Sequence, residues 1–386
     1  MLKINIHGED INIVYNYINT GKVLAIISAI FVSIFFAFIF GSLTQWISRL
    51  IFTFNYKKNL SKYGAIWGGF AITTIIYFIV IKGAKGSSFL TDENINWISS
   101  HTWEIILYGW VVCSALLQIF VTIFKLNILK FIVLLGTFAL AMSFSANDLV
   151  NFIGAPIASL NAYYIASQFS NPSSASMEAL AQPIKTNTLI LLASGSVMVL
   201  TLFLSKKART VSKTEINLGR QDEGYERFQS YMASRILVRF TINFLDFFKK
   251  ITPKFIKDKI SKRFDLNEYK PELDENGQPP AFDLVRAAVN LVVASALISY
   301  GTSLKLPLST TYVTFIVAMA TSLPDKAWGR ESAVYRVSGV MTVVGGWFFT
   351  AIIALLISSL VAIITYFTNF YGIIGFTILS LSLIHI

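Results

Sequence analysis

Long apolar runs without Asp, Glu, Lys or Arg dominate the chain. A helix that spans a bilayer needs about 20 such residues, and the windows near that length are Val23–Ser48, Tyr63–Ile81, Ile105–Phe124, Thr186–Ser205 and Ala287–Leu304. The last run, Val337–Ile386, is too long for one span, and Thr368, Asn369 and Gly372 predict a turn inside it. The pattern predicts an all-α polytopic membrane protein with about eight transmembrane or half-spanning helices.

The distribution of charge predicts how these helices are oriented. The chain carries a net charge of +11, and residues 206–275 hold half of its Lys and Arg. Because basic loops stay on the cytoplasmic side, we expect a cytoplasmic basic loop at 206–281 and an external N-terminal segment at 1–22. The first membrane helix group is then 23–205 and the second is 282–386. The expected location is a membrane that the chain crosses several times.

An amphipathic pattern occupies the middle of the basic loop. Apolar side chains recur at every fourth position among basic ones, namely Phe228, Met232, Ile236, Phe240, Phe244 and Phe248, interleaved with Arg227, Arg235, Arg239, Lys249 and Lys250. This pattern predicts a helix lying on the membrane surface, with lipids rather than nucleic acid as its partner. Residues 268–280, which contain three prolines, are predicted to be a linker.

Asp148 is the first candidate functional residue, because it stands in an otherwise apolar segment. No other Asp or Glu occurs between Glu104 and Glu178, and a carboxylate in a membrane segment costs roughly 2.5–3.5 kcal/mol on insertion scales. The carboxamides of Asn147 and Asn151 flank it. With Gly154 and Pro156 just beyond, these residue types favour a break in the helix. We therefore expect a broken helix whose Asn147, Asp148 and Asn151 bind a cation.

A second candidate site follows the window Ala287–Leu304. Residues 304–324 must bring the chain back to the side it left, which predicts a hairpin with its turn at Pro307. Ser309 can cap the helix that follows. The backbone N–H groups and hydroxyls of Ser309, Thr310 and Thr311 would then converge at the positive end of a helix dipole, where an oxyanion such as phosphate binds.

The remaining polar residues have ordinary structural interpretations. Arg286 and Arg336 stand at the ends of spans and are expected to extend to the interface as anchors. Cys113 is expected to be a packing residue. The histidines are far apart in sequence, so no zinc site is expected.

The two candidate motifs together resemble those of the inorganic phosphate transporter family, the PiT-type permeases. The family signature Gly-Ala-Asn-Asp-Val-Ala-Asn-Ala corresponds here to Ser145-Ala146-Asn147-Asp148-Leu149-Val150-Asn151-Phe152. The family hairpin Leu-Pro-x-Ser-Thr-Thr-His corresponds to Leu306-Pro307-Leu308-Ser309-Thr310-Thr311-Tyr312, and Trp347 with Thr350 resembles the Trp-x-x-Thr helix that follows it. The departures include Ser145 for Gly, Phe152 for Ala and Tyr312 for His.

The resemblance covers roughly residues 130–368 and implies an inverted repeat in which each motif occurs twice. This chain has each motif once. The resemblance therefore implies that the chain is the C-terminal repeat of a longer bacterial permease, or that a second copy completes the site as a homodimer.

The function expected from these residues is cation-coupled symport of inorganic phosphate, without enzymatic activity. Asn147, Asp148 and Asn151 would bind sodium or a proton, and Ser309, Thr310 and Thr311 would bind phosphate; no other cofactor or metal is expected. Two alternatives stay open, a membrane-embedded enzyme acting on phosphate esters or lipids and a non-transporting membrane subunit.

Overall fold

The structure is a computed structural model that describes residues 20–82, 91–171, 186–206, 210, 229–265, 283–304, 306, 308–325 and 330–384. Helices make up nearly all of this part of the chain. They are α1 (Thr20–Phe52), α2 (Tyr56–Ile75, continued by a π-helical stretch Ile76–Lys82), α3 (Asp92–Ser100), α4 (Thr102–Phe124), α5 (Ile128–Ser167), α6 (Thr188–Leu204), α7 (Met232–Ile251), α8 (Lys254–Arg263), α9 (Leu284–Ser303), α10 (Thr310–Ser322), α11 (Arg330–Thr368) and α12 (Phe370–Ile384).

Among the described residues, six helices are long and apolar enough to cross a membrane, namely α1, α2, α4, α5, α9 and α11. The shorter helices α6, α10 and α12 are also apolar. The predicted class, an all-α polytopic membrane protein, is confirmed. The turn predicted near Thr368 is confirmed too, since α11 ends there and Asn369 adopts a left-handed φ of 50°, a conformation that Asn tolerates better than most residues.

The chain forms two compact units. Among the described residues, the first contains 20–25, 229–243 and 330–384, and the second contains those between 26 and 210 and between 244 and 325. Both stretches that carry the candidate site residues belong to the second unit.

In the second unit, α2 and α4 pack closely because small residues face each other. A Cβ at Gly69 would lie 2.7 Å from the backbone nitrogen of Ser114, so only glycine allows this approach. Farther along, the Tyr77 hydroxyl lies 3.0 Å from that of Thr102. Small residues drive helix association in membranes through such close packing. The contacts follow opposite sequence orders, so the two helices are antiparallel.

Helices α5 and α9 pack side by side and run in the same direction. A Cβ at Gly136 would lie 2.8 Å from Leu291 Cβ, and about two turns later the buried Ser143 hydroxyl lies 2.8 Å from that of Ser299. Apolar residues from both helices join the core of this unit, including Ile132 and Ala288. This pairing fixes where Asp148 lies along the common direction of α5 and α9, relative to the end of α9.

The predicted hairpin is present, formed by α9 and α10. Leu306 N–H donates to the Gly301 carbonyl at 3.0 Å, which turns the chain back after α9. A Cβ at Gly301 would overlap Leu308 Cδ2, so the glycine leaves room for Leu308 to fold over the helix end. Pro307 lies outside the described residues.

A buried ionic cluster joins the two feet of the hairpin, Asp283 before α9 and Asp325 after α10. From α1, Arg49 donates through Nε and Nη2 to the two carboxylate oxygens of Asp325, both at 2.8 Å, and through Nη2 to Asp283. Arg286 Nε donates to Asp325 at 2.9 Å. Gln45 completes the cluster through Nε2, 2.9 Å from Asp325 Oδ1. These bonds fasten α1 to both feet.

The cluster corrects one expectation. Arg286 and Arg336 were expected to extend to the interface, yet both are fully buried. For Arg286 the physical reason is Asp325, because a buried carboxylate within hydrogen-bond distance stabilises the guanidinium better than a partly hydrated interface does. The sequence showed the arginine but not its partner 39 positions away.

The expected break at Asn147 and Asp148 is wrong, because α5 runs through it. The helix is continuous from Ile128 to Ser167 with Pro156 inside it. A proline removes only one backbone hydrogen bond, and a long helix on both sides can absorb that loss. In addition, the Asn147 side chain bonds to Asp148 and to the hairpin rather than to its own backbone, so it does not compete with helix formation.

In the first unit, the start of α7 packs on the start of α11. The Ser234 and Ser338 hydroxyls lie 2.6 Å apart, and Tyr231 N–H donates to Ser338 Oγ at 3.1 Å. Helix α7 begins at Met232, so it covers most of the predicted amphipathic segment, whereas Phe228 lies outside the described residues. Trp347 and Thr350 both lie in α11.

Candidate functional site

The two sequence motifs meet in one cavity of the second unit. The cavity has a volume of about 410 Å³ and is lined by Ile26, Ile30, Asn147, Asp148, Leu308, Ser309, Thr310 and Thr311. It lies at the turn of the hairpin, where α5 passes the first residues of α10. A helix rises about 1.5 Å per residue, so the 20 residues of α9 separate the cavity from the ionic cluster by roughly 30 Å.

A hydrogen bond joins the motifs directly. Thr310 Oγ1 donates to the Asp148 carboxylate, 3.0 Å from Oδ1 and 3.1 Å from Oδ2. Thr310 is only 2% exposed, while Asp148 is half-buried at the cavity wall. Hydrogen bonds to a charged group are stronger than neutral ones. This bond therefore partly offsets the cost of holding Asp148 in an apolar segment.

Asn147 connects the carboxylate to the hairpin backbone. Its Nδ2 donates to Asp148 Oδ1 at 3.1 Å and lies 3.5 Å from the Leu308 carbonyl oxygen. The amide nitrogen thus holds two oxygens in place. In this arrangement Asn147 acts as a donor, and its own Oδ1 is the atom that a cation could use.

Ser309 caps α10, as the sequence predicted. Its Oγ accepts from Tyr312 N–H at 3.4 Å, and its backbone is extended, with φ −94° and ψ 114°. The first N–H groups of a helix have no partner inside it, and the dipole makes this end positive. Helix α10 therefore begins at the cavity wall with a partial positive charge.

Five of the six predicted site residues come together here: Asn147, Asp148, Ser309, Thr310 and Thr311. The backbone of Asn151 continues α5 one turn farther, and its side chain lies outside the described residues. Tyr312, which stands where the PiT-type motif has His, is buried behind the capping serine.

Sequence reasoning missed the apolar wall of the cavity. Ile26 and Ile30 come from α1, more than 100 positions before Asp148, and Leu308 comes from the hairpin turn. Apolar periodicity identifies α1 as a helix but does not tell which face meets a site elsewhere in the chain. The contacts of Ser42 with the Ala320 carbonyl and of Gln45 with Asp325 fix that face.

The cavity combines groups that bind a cation with groups that bind an anion. Asp148 supplies two carboxylate oxygens and Leu308 a carbonyl, which are hard oxygen ligands suited to a small cation. The start of α10 supplies donors and a positive dipole end, which suit an oxyanion. A cation and an oxyanion can therefore be held side by side.

The chain matches no protein-family model, no curated protein and no solved structure. What is known of the site thus rests on the fold and on the residues themselves, which define a multi-pass membrane protein with a polar cavity between a long helix and a helical hairpin.

Proposed function

We propose that the protein is a cation-coupled symporter of inorganic phosphate in the bacterial inner membrane, with residues 206–281 on the cytoplasmic side. Asp148 and Asn147 hold the coupling cation, and Ser309, Thr310 and Thr311 hold the phosphate. The observation that supports this most is the bond from Thr310 Oγ1 to Asp148, because it brings the proposed cation ligand and the proposed anion donors into one cavity.

Electrostatics explains why the two solutes would be coupled. Two like unit charges about 5 Å apart repel by roughly 3 kcal/mol at an effective dielectric constant of about 20. A phosphate at the start of α10 would meet this repulsion from Asp148. A sodium ion or a proton on the carboxylate removes it, so the anion binds well only when the cation is present.

Thr310 has a second role in this proposal. Its hydroxyl donates to Asp148 in the structure. A sodium ion or a proton on the carboxylate reduces the negative charge there and so weakens this hydrogen bond. The hydroxyl can then turn toward phosphate. Cation binding thus prepares an anion donor as well as removing a charge.

The alternative of a membrane-embedded enzyme has less support. Among the residues that line the cavity, Asp148 is the one acidic side chain, with hydroxyls and an amide as its neighbours. Hydrolysis of a phosphate ester would need an activated nucleophile with a base in reach. Symport needs no nucleophile or base, and the cavity contains groups able to bind a cation and an oxyanion.

Phosphate binding by Thr310→Val and Thr311→Val tests this function. Valine keeps the shape of threonine but removes its donor, and a hydrogen bond to a charged group is worth about 1.5–3 kcal/mol. We expect each variant to weaken phosphate binding by roughly tenfold or more, measured calorimetrically on the purified protein with sodium or at low pH.

Thr314→Val is the matched control, since the Thr314 hydroxyl donates to the Thr310 carbonyl within the same helix and does not line the cavity. Its phosphate affinity should stay unchanged, and Thr310→Ser should recover most of the affinity lost in Thr310→Val. Wild-type affinity in the double variant of Thr310 and Thr311 would refute the phosphate assignment.

A further inference from the structure

Helix α8 combines a high positive charge with exposed apolar side chains. Its ten residues carry five basic side chains against the single acid Asp258, namely Lys254, Lys257, Lys259, Lys262 and Arg263. Phe255 is 76% exposed and Ile256 is 45% exposed. A strongly cationic helix with outward apolar groups matches the composition of segments that bind at a membrane surface.

The structure attaches α8 near the end of a spanning helix. Phe264 directly follows α8 and is buried, and its ring stacks on that of Trp46 with centroids 6.5 Å apart. Trp46 lies six residues before the end of α1, which is about 9 Å along the axis. Helix α8 is therefore held near the membrane–water boundary, at the same end of the unit as Arg49 and the basic start of α2.

The first residues of helix α7, which belong to the first unit, are attached in a similar way. Its Ser234 bonds to Ser338 of α11, five residues after the apolar span of α11 begins. Away from this contact, Met232 is 80% exposed and Ile236 is 59% exposed, with Arg235 close by on the exposed surface. Two consecutive helices thus show the same features, each tied independently to the end of a spanning helix.

We propose that α8 forms a docking surface for anionic phospholipids of the cytoplasmic leaflet. The apolar side chains of α8 enter the headgroup boundary, and its four lysines and Arg263 bind the phosphate groups of the lipids. Charge complementarity selects this occupant over a second copy of the chain, because two copies of a helix with a charge of +4 (five basic and one acidic residue) repel each other. Each basic residue near an anionic surface contributes a factor of about five to binding.

Fluorescence from one labelled cysteine tests this surface. The full chain with Cys113→Ala and Ile256→Cys carries a bimane label and is reconstituted in nanodiscs of phosphatidylcholine, with or without phosphatidylglycerol. We expect a blue-shifted emission, and quenching by spin-labelled lipid, only when phosphatidylglycerol is present. Neutralising three charges in Lys257→Gln, Lys259→Gln and Lys262→Gln should lower the ratio of docked to undocked helix on the order of a hundredfold.

The matched control removes three charges at the start of α2, with Lys57→Gln, Lys58→Gln and Lys62→Gln, and should keep the response at position 256. Equal emission in the two lipid mixtures would overturn the proposal, because insertion would then not depend on anionic headgroups. So would loss of the response in the control, or disulfide-linked pairs of unlabelled chains through position 256 that form in both mixtures.

Discussion

At the scale of single residues, the side chains of the site form hydrogen bonds with one another. Asp148 accepts from Thr310 and Asn147, and Asn147 also reaches the hairpin carbonyl of Leu308. Residue type alone identified Asp148 and the three hydroxyl residues, because a lone acid and a run of hydroxyls stand out in apolar sequence. Their direct contact joins positions 162 apart, and no local pattern in the sequence carries that information.

Replacement of Gly301 should disturb the hairpin turn. A Cβ there would overlap Leu308 Cδ2, so Gly301→Ala should displace Leu308 and the capping residue beside it. Overpacking of this kind costs about 1–3 kcal/mol. We expect a lower melting temperature in detergent, followed with a thiol-reactive dye or by light scattering, together with weaker phosphate binding.

The double variant Gly301→Ala with Leu308→Ala separates the overlap from other effects of alanine. Removing the Leu308 side chain relieves the overlap, so the double variant should lose less stability than the sum of the losses in Gly301→Ala and Leu308→Ala. If the loss of stability in the double variant equals the sum of the losses in the two single variants, the two residues do not interact.

At the scale of helices and the hairpin, tertiary contacts overrode some local signals and reinforced others. The capping serine, the turn at Asn369 and the hairpin could be predicted, since each depends on neighbouring residues. The continuity of α5 could not be predicted, because the Asn147 side chain finds a partner on the hairpin instead of on its own backbone. The burial of Arg286 likewise depends on a carboxylate from another element.

Asp325→Asn should loosen the hairpin from α1. The variant keeps the size of the side chain but leaves Arg49 and Arg286 buried without their shared counter-charge, which costs about 3–5 kcal/mol. We expect a large drop in the melting temperature and faster proteolysis near the feet of the hairpin. Glu104→Gln, which alters an exposed acid, should leave both unchanged.

The same cluster predicts a direction for the pH dependence of stability. Burial alone would raise the pKa of Asp325, but the nearby charges of Arg49 and Arg286 outweigh it and hold the pKa below its usual value of 3.8. The carboxylate is therefore more stable in the folded state and contributes stability above its usual pKa. That contribution is lost only as the pH falls through the lower folded-state value.

At the scale of the whole molecule, the class could be predicted almost completely from apolar run length, because one physical requirement, the thickness of the bilayer, sets it. The division into two compact units could not be predicted in the same way. It depends on which helices pack together, and the sequence between Asp325 and Arg330 gives no sign that the two neighbouring helices belong to different units.

The central claim is that Asp148 couples a cation to phosphate at the hairpin. Phosphate uptake by the protein in proteoliposomes, measured with Asp148→Asn in parallel with the wild type, tests it most directly. Asparagine keeps the size and accepting oxygen of the aspartate but removes its charge. We predict that the variant folds and reconstitutes normally yet shows no stimulation of phosphate uptake by an inward sodium or proton gradient. Accumulation of phosphate against its gradient by Asp148→Asn, with the dependence on sodium or pH of the wild type, would contradict the account.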